Sequence, residues 1–144
     1  MAEPDEPFMT AAAPPETAAI GPCSPFFIVE VLERSLAHYR EGLGFDCRYS
    51  APEPEPFFAI VGRGAAQIML KAVRDGVVPV PNRRAHAWAP WDAFVLAGDP
   101  DALAAENAGR AVAYAEPLGN REDGLRGFAV ADPDGYVCFF GRPV

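Results

Sequence analysis

The chain has 144 residues and a formal net charge of −8, and half of its residues are hydrophobic, with 11% aromatic. This composition excludes a disordered chain. No apolar run approaches the ~20 residues that a membrane span requires, which excludes a membrane-spanning protein. The length suits one domain with its own core. We therefore expect one soluble globular domain without a membrane partner.

The first 22 residues differ from the rest, being rich in Ala, Pro and Glu without a basic residue or apolar periodicity. They predict a flexible tail over 1–22, followed by a domain over 23–144. The tail holds 4 of the 20 acidic residues, which leaves 16 acidic against 12 basic residues in the domain. This mild excess argues against nucleic acid as a partner and is compatible with a cationic ligand.

The three cysteines, Cys23, Cys47 and Cys138, are widely spaced and odd in number. They indicate free thiols in a reducing compartment rather than a disulfide or zinc framework. The tail also lacks the basic start and apolar stretch of a secretory signal. We therefore expect a cytoplasmic protein.

A βαβββ order is predicted for the first half of the domain. A β-rich run at 24–31 predicts a strand, and apolar residues at helical spacing then predict a helix that stops at Gly42 and Gly44. That helical stripe consists of Leu32, Leu36, Tyr39 and Leu43. Three predicted strands follow, at 45–50, 56–62 and 65–72. His38 is about 120° from the stripe, which favours a solvated or interface histidine over a catalytic base.

The second half repeats this order after a polar connection over 73–90. A strand is predicted over 91–97, and a helix begins at Asp99 and Pro100, a good N-cap and first helical residue. The last three predicted strands lie at 111–115, 125–131 and 136–140. A tight turn is predicted at 132–135. A charged cluster borders the final strands and either rims the pocket or forms a solvated loop; it consists of Arg121, Glu122, Asp123 and Arg126.

The two halves match at an offset of about 67 to 70 residues, which aligns Leu36 with Leu103, Phe58 with Phe128 and Ile68 with Cys138. The segments VLERSLAHYREGLGF, DPDALAAENAGR and REDGLRGFAVADPDGYVCFFG resemble the first helix, second helix and last hairpin of the vicinal oxygen chelate superfamily, which includes glyoxalases, bleomycin-resistance proteins and dioxygenases. The resemblance implies an α+β fold with modules over about 24–72 and 91–142, forming a curved mixed sheet with a pocket in its concave face.

Enzymes of this superfamily hold a divalent metal with four side chains, and the resemblance allows each position to be located here. The four positions fall on Ser24, Met69, Trp91 and Phe139. A catalytic metal ion needs three or four nitrogen or oxygen donors, which these residues do not supply. We therefore expect no metal, no cofactor and no catalytic residue.

Residues in phase with these positions share one face of their strands, according to the period of two. They include Phe26, Ile28, Glu30, Gln67, Lys71, Ala93, Val95 and Val137. This largely apolar and aromatic lining suits a planar or partly apolar small molecule. The predicted ligand-binding residues are Phe26, Gln67, Met69, Trp88, Trp91 and Phe139.

The metal-free bleomycin-resistance proteins are the members that the chain most resembles, through Pro25 and RGFAVADPDG. The resemblance implies a homodimer that binds a small organic ligand, such as an antibiotic or another toxic compound. One alternative is an enzyme, either a lyase or dioxygenase with relocated metal ligands or a cofactor-free isomerase that acts through Glu30, Gln67 or His86. Another is a regulatory or interaction domain whose cavity is filled by its own side chains.

Overall fold

The computed structural model describes residues 17–74 and 76–144, so most of the predicted tail, residues 1–16, lies outside the described residues. The first module contains strand β1, helix α1 and strands β2 to β4. Their bounds are Phe26–Val29 for β1, Leu32–Ala37 for α1, Asp46–Ala51 for β2, Phe58–Arg63 for β3 and Ala66–Ala72 for β4. A π-helical turn, His38–Gly42, extends α1.

A short helix, α2 (Asn82–Ala85), lies in the connection between the modules. The second module then repeats the order of the first. Its bounds are Ala93–Leu96 for β5, Pro100–Asn107 for α3, Ala113–Asn120 for β6, Leu125–Ala131 for β7 and Val137–Pro143 for β8. Among the described residues, no helix is long and apolar enough to cross a membrane.

Each module forms its own four-stranded mixed sheet. The strand orders are β1-β4-β3-β2 and β5-β8-β7-β6. In both sheets the first strand pairs in parallel with the last strand of its module, and the remaining pairs are antiparallel. The predicted α+β fold of two βαβββ modules is confirmed, with two open sheets in place of a single curved one.

One apolar core joins the modules. It takes alternate residues of both sheets, among them Phe27 and Val29 of β1 and Phe128 and Val130 of β7, together with the inner side of α1. We call the side of each sheet that packs here its core face, and the opposite side its outer face. The ring of Phe27 stacks on that of Tyr136 with centroids 4.3 Å apart, so the two modules pack directly against each other.

The turn between β7 and β8 binds the start of α1. Asp134 Oδ1 accepts hydrogen bonds from the backbone N–H of Glu30 at 3.2 Å and from Arg34 at 3.0 Å. Ser35 Oγ donates to the other oxygen of Asp134 at 3.5 Å. Val31 at the N-cap position offers no side-chain hydrogen bond to the helix. Asp134 of the second module therefore stabilises the beginning of α1 in the first module.

The predicted helix ends are largely confirmed. Asp99 accepts a hydrogen bond from the backbone N–H of Ala102 at 3.0 Å, and Pro100 follows it as the first helical residue. Gly44 has a φ of 73°, a left-handed conformation that ends a helix at little cost only for glycine.

Two strand predictions were wrong in extent, and one helix was missed. The first strand is shorter than 24–31, because the Val31 carbonyl already accepts a helical hydrogen bond from Ser35. β6 extends well beyond 111–115, since two register shifts accommodate Pro117 and the polar residues around it, which hide the strand's alternation. The helix α2 was not predicted at all.

His38, predicted to be either solvated or at an interface, is not freely solvated. Its ring packs edge-on against Tyr39 with centroids 4.6 Å apart, and burial lowers its pKa to about 4. A π-helical turn has more residues per turn than an α-helix, so side chains after Ala37 shift around the axis relative to the regular spacing. His38 is therefore half-buried and neutral at pH 7.

Candidate functional site

Three of the six predicted ligand-binding residues lie together on the outer face of the first sheet. Phe26 and Met69 are paired in the parallel register of β1 and β4, and Gln67 follows on the same face of β4. Phe26 is 52% exposed, and its ring lies 6.2 Å from that of Phe58. Two polar groups join these apolar residues, since Arg48 donates a 3.1 Å hydrogen bond to Oε1 of Gln67.

Two further predicted residues, Trp91 and Phe139, lie on the outer face of the second sheet. Their ring centroids are 4.7 Å apart. Phe94 of β5 joins them, with its centroid 5.9 Å from that of Phe139 and 6.3 Å from that of Trp91. Phe94 remains 44% exposed, whereas Phe139 is fully buried. We call these three rings the aromatic face.

Two glycines make room for the buried ring of this face. Gly127 of β7 and Gly141 of β8 are directly paired across the two strands. A Cβ at Gly141 would come within contact of Cε2 of Phe139, and one at Gly127 would clash with the Phe140 carbonyl oxygen. Phe139 thus lies flat against the sheet because its neighbours lack side chains.

A cation covers the aromatic face. The guanidinium carbon of Arg121 lies 4.9 Å from the ring centroid of Trp91 and 5.5 Å from that of Phe139. Glu116 binds Arg121 NH1 through both oxygens, and Asp123 binds its Nε at 3.0 Å. Burial lowers the pKa of Arg121, but the hydrogen bonds and charges of Glu116 and Asp123 outweigh burial and raise it. The side chain of Arg121, in the loop between β6 and β7, therefore lies on the rings, which fits the predicted pocket rim better than a solvated loop.

The predicted alternation was wrong in β5. Ala93 and Val95 pack against the shared core, and Phe94 between them lies on the outer face with Trp91. The parallel registers explain the error, since Phe26 pairs with Met69 whereas Phe94 pairs with Phe139. The first strands of the two modules are therefore offset by 68 residues rather than 67. Phe58 likewise lies on the outer face and Phe128 on the core face, so they are not equivalent.

This offset makes Asp92, and not Trp91, the counterpart of Ser24. The sequence contains the signal, because Ser24 and Asp92 both lie seven residues before the residue that precedes a helix, Val31 and Asp99. Asp92 has another task in the structure. Its two oxygens accept backbone N–H hydrogen bonds, from Asn82 at 2.7 Å and from Val137 at 2.8 Å.

The corrected set of positions still does not fit the divalent metal of the superfamily's enzymes. It comprises a hydroxyl, a thioether, a carboxylate already bound to two N–H groups, and a phenyl ring. These groups do not supply three free nitrogen or oxygen donors. In the part of the chain that the structure describes, no three His, Cys, Asp or Glu side chains cluster as metal ligands would.

The sixth predicted residue, Trp88, lies in the connection before β5 and is 79% exposed. Its ring is 5.4 Å from that of His86. Each residue named for a metal-free enzyme contacts a different neighbour: Glu30 pairs with Arg34, Gln67 binds Arg48 and His86 contacts Trp88.

Cys138 lies on the core side of β8, where burial, followed by the charges of Asp132 and Asp92, raises the pKa of its thiol to about 12. It remains protonated at neutral pH and is no nucleophile.

A cavity of about 230 Å³ connects the two outer faces at the edges of the sheets. Gln67 lines it from the first sheet, and Phe94 and Leu96 line it from the second, with Pro25 at the start of β1. The edge cavity thus brings one predicted residue of the first sheet close to the aromatic face.

No family model and no curated protein matches the sequence. Several solved structures match the fold. TioX from Micromonospora sp. ML1 is 17% identical, with a TM-score of 0.67, and the match covers 86% of this chain and 99% of that one. TnmS3, an antibiotic binding protein from Streptomyces sp. CB03234, is 21% identical, with a TM-score of 0.65 and coverage of 89% and 99%.

The bleomycin-binding protein from Streptomyces verticillus, in complex with copper(II)-bleomycin, is 24% identical, with a TM-score of 0.61 and coverage of 86% and 97%. A glyoxalase/bleomycin resistance protein from Streptomyces sp. CB03234 is 20% identical, with a TM-score of 0.63 and coverage of 85% and 100%. The chain has the fold of the glyoxalase/bleomycin resistance protein/dioxygenase superfamily.

Proposed function

We propose that this protein captures a planar organic compound, such as an antibiotic, on the aromatic face formed by Trp91, Phe94 and Phe139. The observation that carries the proposal is an ordered set of three rings that remains partly exposed at the outer face of a sheet. Aromatic rings held in place by packing lose little entropy when a flat ligand stacks on them. Two structures of the same fold come from proteins that bind antibiotics, which supports this ligand class.

The groups around the aromatic face favour a ligand with oxygen acceptors. Arg121 lies over the rings, and Arg48 and Lys71 lie on the outer face of the first sheet. A planar ligand displaces Arg121 from the rings or stacks beside it, and in both positions its oxygens meet the N–H groups of Arg121 that Glu116 and Asp123 leave unused. The aromatic face therefore suits quinones, phenolates or carboxylates better than the cationic ligand that the overall acidity suggests.

In this proposal binding needs no metal, because the side chains at the metal positions offer too few free donors. We also propose a homodimer, since Phe26 and Leu96 are exposed on the outer faces beside the sheet edges, Leu96 to 71%. A second copy covering these side chains would remove apolar surface from water. A cytoplasmic location suits the free thiols, of which Cys23 is exposed.

Fluorescence of Trp91 tests the binding proposal. The chain has two tryptophans, so Trp88→Phe leaves Trp91 as the single reporter. We expect anthraquinone-2-carboxylate, a planar anionic probe, to quench this fluorescence more strongly than bleomycin does. Phe94→Ala should weaken the binding of the anthraquinone about tenfold, which corresponds to about 1.4 kcal/mol for one lost stacking contact.

Tyr114→Ala is the matched control, because Tyr114 is 45% exposed, as Phe94 is, but packs against Phe128 on the core face. This variant should bind as the parent does. Absence of quenching by both compounds, or equal losses in the two variants, would refute capture by the aromatic face.

Sedimentation equilibrium tests the dimer. Leu96→Glu places a charge on an exposed apolar position and should give a folded monomer. Val144→Glu, at a residue that is 72% exposed at the end of the chain, should remain dimeric. If the parent protein is monomeric at high concentration, the proposed homodimer is refuted.

A further inference from the structure

A second cavity, separate from the aromatic face, lies between the two modules. It has a volume of about 390 Å³, is open on one side, and is lined by the β3–β4 hairpin, the segment from β5 to α3, and the inner side of α3. Its apolar walls come from Leu43, Phe45, Val95, Leu103 and Phe140. This volume falls within the range of about 300 to 1,000 Å³ that is usual for small-molecule sites. We call it the Asn107 cavity.

Asn107, the last residue of α3, lies in the wall of this cavity and is 1% exposed. Neither Oδ1 nor Nδ2 of its side chain has a hydrogen-bond partner among the described residues. A buried amide without partners is costly, and folded proteins satisfy nearly all such groups. The amide therefore calls for a partner that offers an acceptor to Nδ2 and a donor to Oδ1.

The charged and polar neighbours of Asn107 are already engaged. Arg63 and Glu106 form a two-bonded ion pair at 2.8 and 2.9 Å, and Arg63 also donates to the Leu43 carbonyl. Asp99 caps α3 through the backbone N–H of Ala102. An anionic ligand would find Arg63 already paired with Glu106, and a cationic ligand would find only Asp99, whose carboxylate already accepts the backbone N–H of Ala102. The chemistry of the cavity therefore favours a neutral occupant.

We propose that the Asn107 cavity binds a small neutral molecule whose N–H and C=O groups lie side by side, as in a lactam or cyclic imide. The amide of Asn107 forms two parallel hydrogen bonds with that edge, and the apolar ring of the ligand packs between Leu103, Val95 and Phe140. The site is distinct from the aromatic face, and its occupancy does not depend on the function proposed for that face.

A matched pair of probes tests the proposal on the intact protein. ε-Caprolactam offers the required N–H and C=O, and N-methylcaprolactam has the same ring without the donor. Neither probe is aromatic, so stacking on the aromatic face does not interfere. Titration is followed through the side-chain amide signals of Asn107 in ¹H–¹⁵N spectra. We expect caprolactam to bind about tenfold more tightly than its N-methyl analogue, as loss of one buried hydrogen bond implies.

The variant Asn107→Leu keeps a similar volume and removes both polar atoms. It should raise or maintain the melting temperature, abolish the preference for caprolactam, and leave the two probes binding equally, as followed by the methyl signals of Leu103. Phe94→Ala should keep the preference, because Phe94 does not line the Asn107 cavity. The Phe94→Ala variant therefore separates a failure of the proposed binding in the Asn107 cavity from a failure of the proposed capture on the aromatic face.

Equal affinity of the parent protein for the two probes would overturn the proposal, and so would unchanged Asn107 signals at saturating caprolactam. Both comparisons use the parent chain, so they remain decisive even if the Asn107→Leu variant does not fold. A high-resolution structure with only ordered water on the Asn107 amide, in crystals soaked with caprolactam, would also overturn it.

Discussion

The phenol of Tyr39 donates a 2.9 Å hydrogen bond to Oδ2 of Asp132, which joins the π-helical turn of the first module to the last turn of the second. The other oxygen of Asp132 accepts the backbone N–H groups of Asp134 and Tyr136, each at 2.9 Å. One buried carboxyl therefore shapes the β7–β8 turn and holds the modules together. The same turn presents Asp134 to α1, so this interaction also supports the helix start.

Tyr39→Phe removes the hydrogen bond to Oδ2 of Asp132 and leaves a buried oxygen without its donor. We expect the free energy of unfolding to fall by about 2 kcal/mol, the usual cost of losing a buried hydrogen bond to a charged group. The pKa of Asp132 should also rise further, because Tyr39 is one of the groups that lower it. Urea unfolding measures the first effect, with Tyr114→Phe as the exposed control. A loss equal to that of the control would contradict this account.

Asp132 makes stability depend on pH in a direction opposite to that of most carboxylates. Burial raises its pKa from 3.8 to about 6, so between these values the folded state binds the proton that the unfolded state releases. Stability from this group is fully present below pH 3.8 and is lost as pH rises through 6. A shift of about two units corresponds to about 3 kcal/mol.

Asp132→Asn has no titrating carboxyl at this position, so its free energy of unfolding should not fall as pH rises through 6. Urea unfolding at several pH values from 4 to 8 measures the difference between parent and variant. We expect Asp132→Asn to gain stability relative to the parent as pH increases through this range. A difference that does not change with pH would show that Asp132 does not titrate on unfolding.

His38 contributes the opposite slope. Burial lowers its pKa from 6.5 to about 4, so between these values the unfolded state binds more protons. Stability from His38 is therefore fully present above pH 6.5 and is lost as pH falls through 4. Between pH 4 and 6 the two groups oppose one another. Their contributions to the parent protein's pH dependence should largely cancel.

The variant His38→Gln removes the contribution of His38 and should expose that of Asp132. We expect its unfolding free energy to fall as pH rises from 4 to 6, whereas that of Asp132→Asn should rise over the same range. The double variant should return to the slope of the parent protein, because the two contributions removed are opposite in sign. Slopes of the same sign in both single variants would refute the assignment of opposed titrations.

The fold was predictable because its signals are local. Periodicity in α1, the cap formed by Asp99 and Pro100, and the turn residues at 132–135 each depend on a few neighbouring residues. The hydrogen bond between Tyr39 and Asp132 joins residues 93 positions apart, and no local pattern indicates it. The π-helical turn was also beyond prediction, since the residues after Ala37 keep a spacing that suits an ordinary helix.

The aromatic face was predicted in part. The superfamily resemblance located Trp91 and Phe139. Phe94 was missed because the first strands of the two modules were matched at an offset of 67 residues, whereas their registers give 68. Counting seven residues back from Asp99, the residue before α3, would have corrected this error, because the count gives Asp92 the position that was assigned to Trp91. Arg121 was visible only as part of a charged cluster. Its place over the rings depends on Glu116 and Asp123, which hold it through the folded β6–β7 hairpin.

Gly141→Ala tests whether glycines shape the aromatic face. A methyl group at this position would approach Cε2 of Phe139 and the Arg126 carbonyl, so the ring must leave its place against the sheet. We expect a loss of about 1 to 3 kcal/mol in unfolding free energy, as for other overpacked sites. The stacking of Phe139 with Trp91 should weaken, which the near-ultraviolet circular dichroism of the Trp88→Phe background reports.

Gly119→Ala is the matched control, because a Cβ there meets nothing within 4 Å. If Gly141→Ala keeps both the parent's stability and its aromatic signal, the glycines do not position the ring, and the aromatic face owes its geometry to β5 alone.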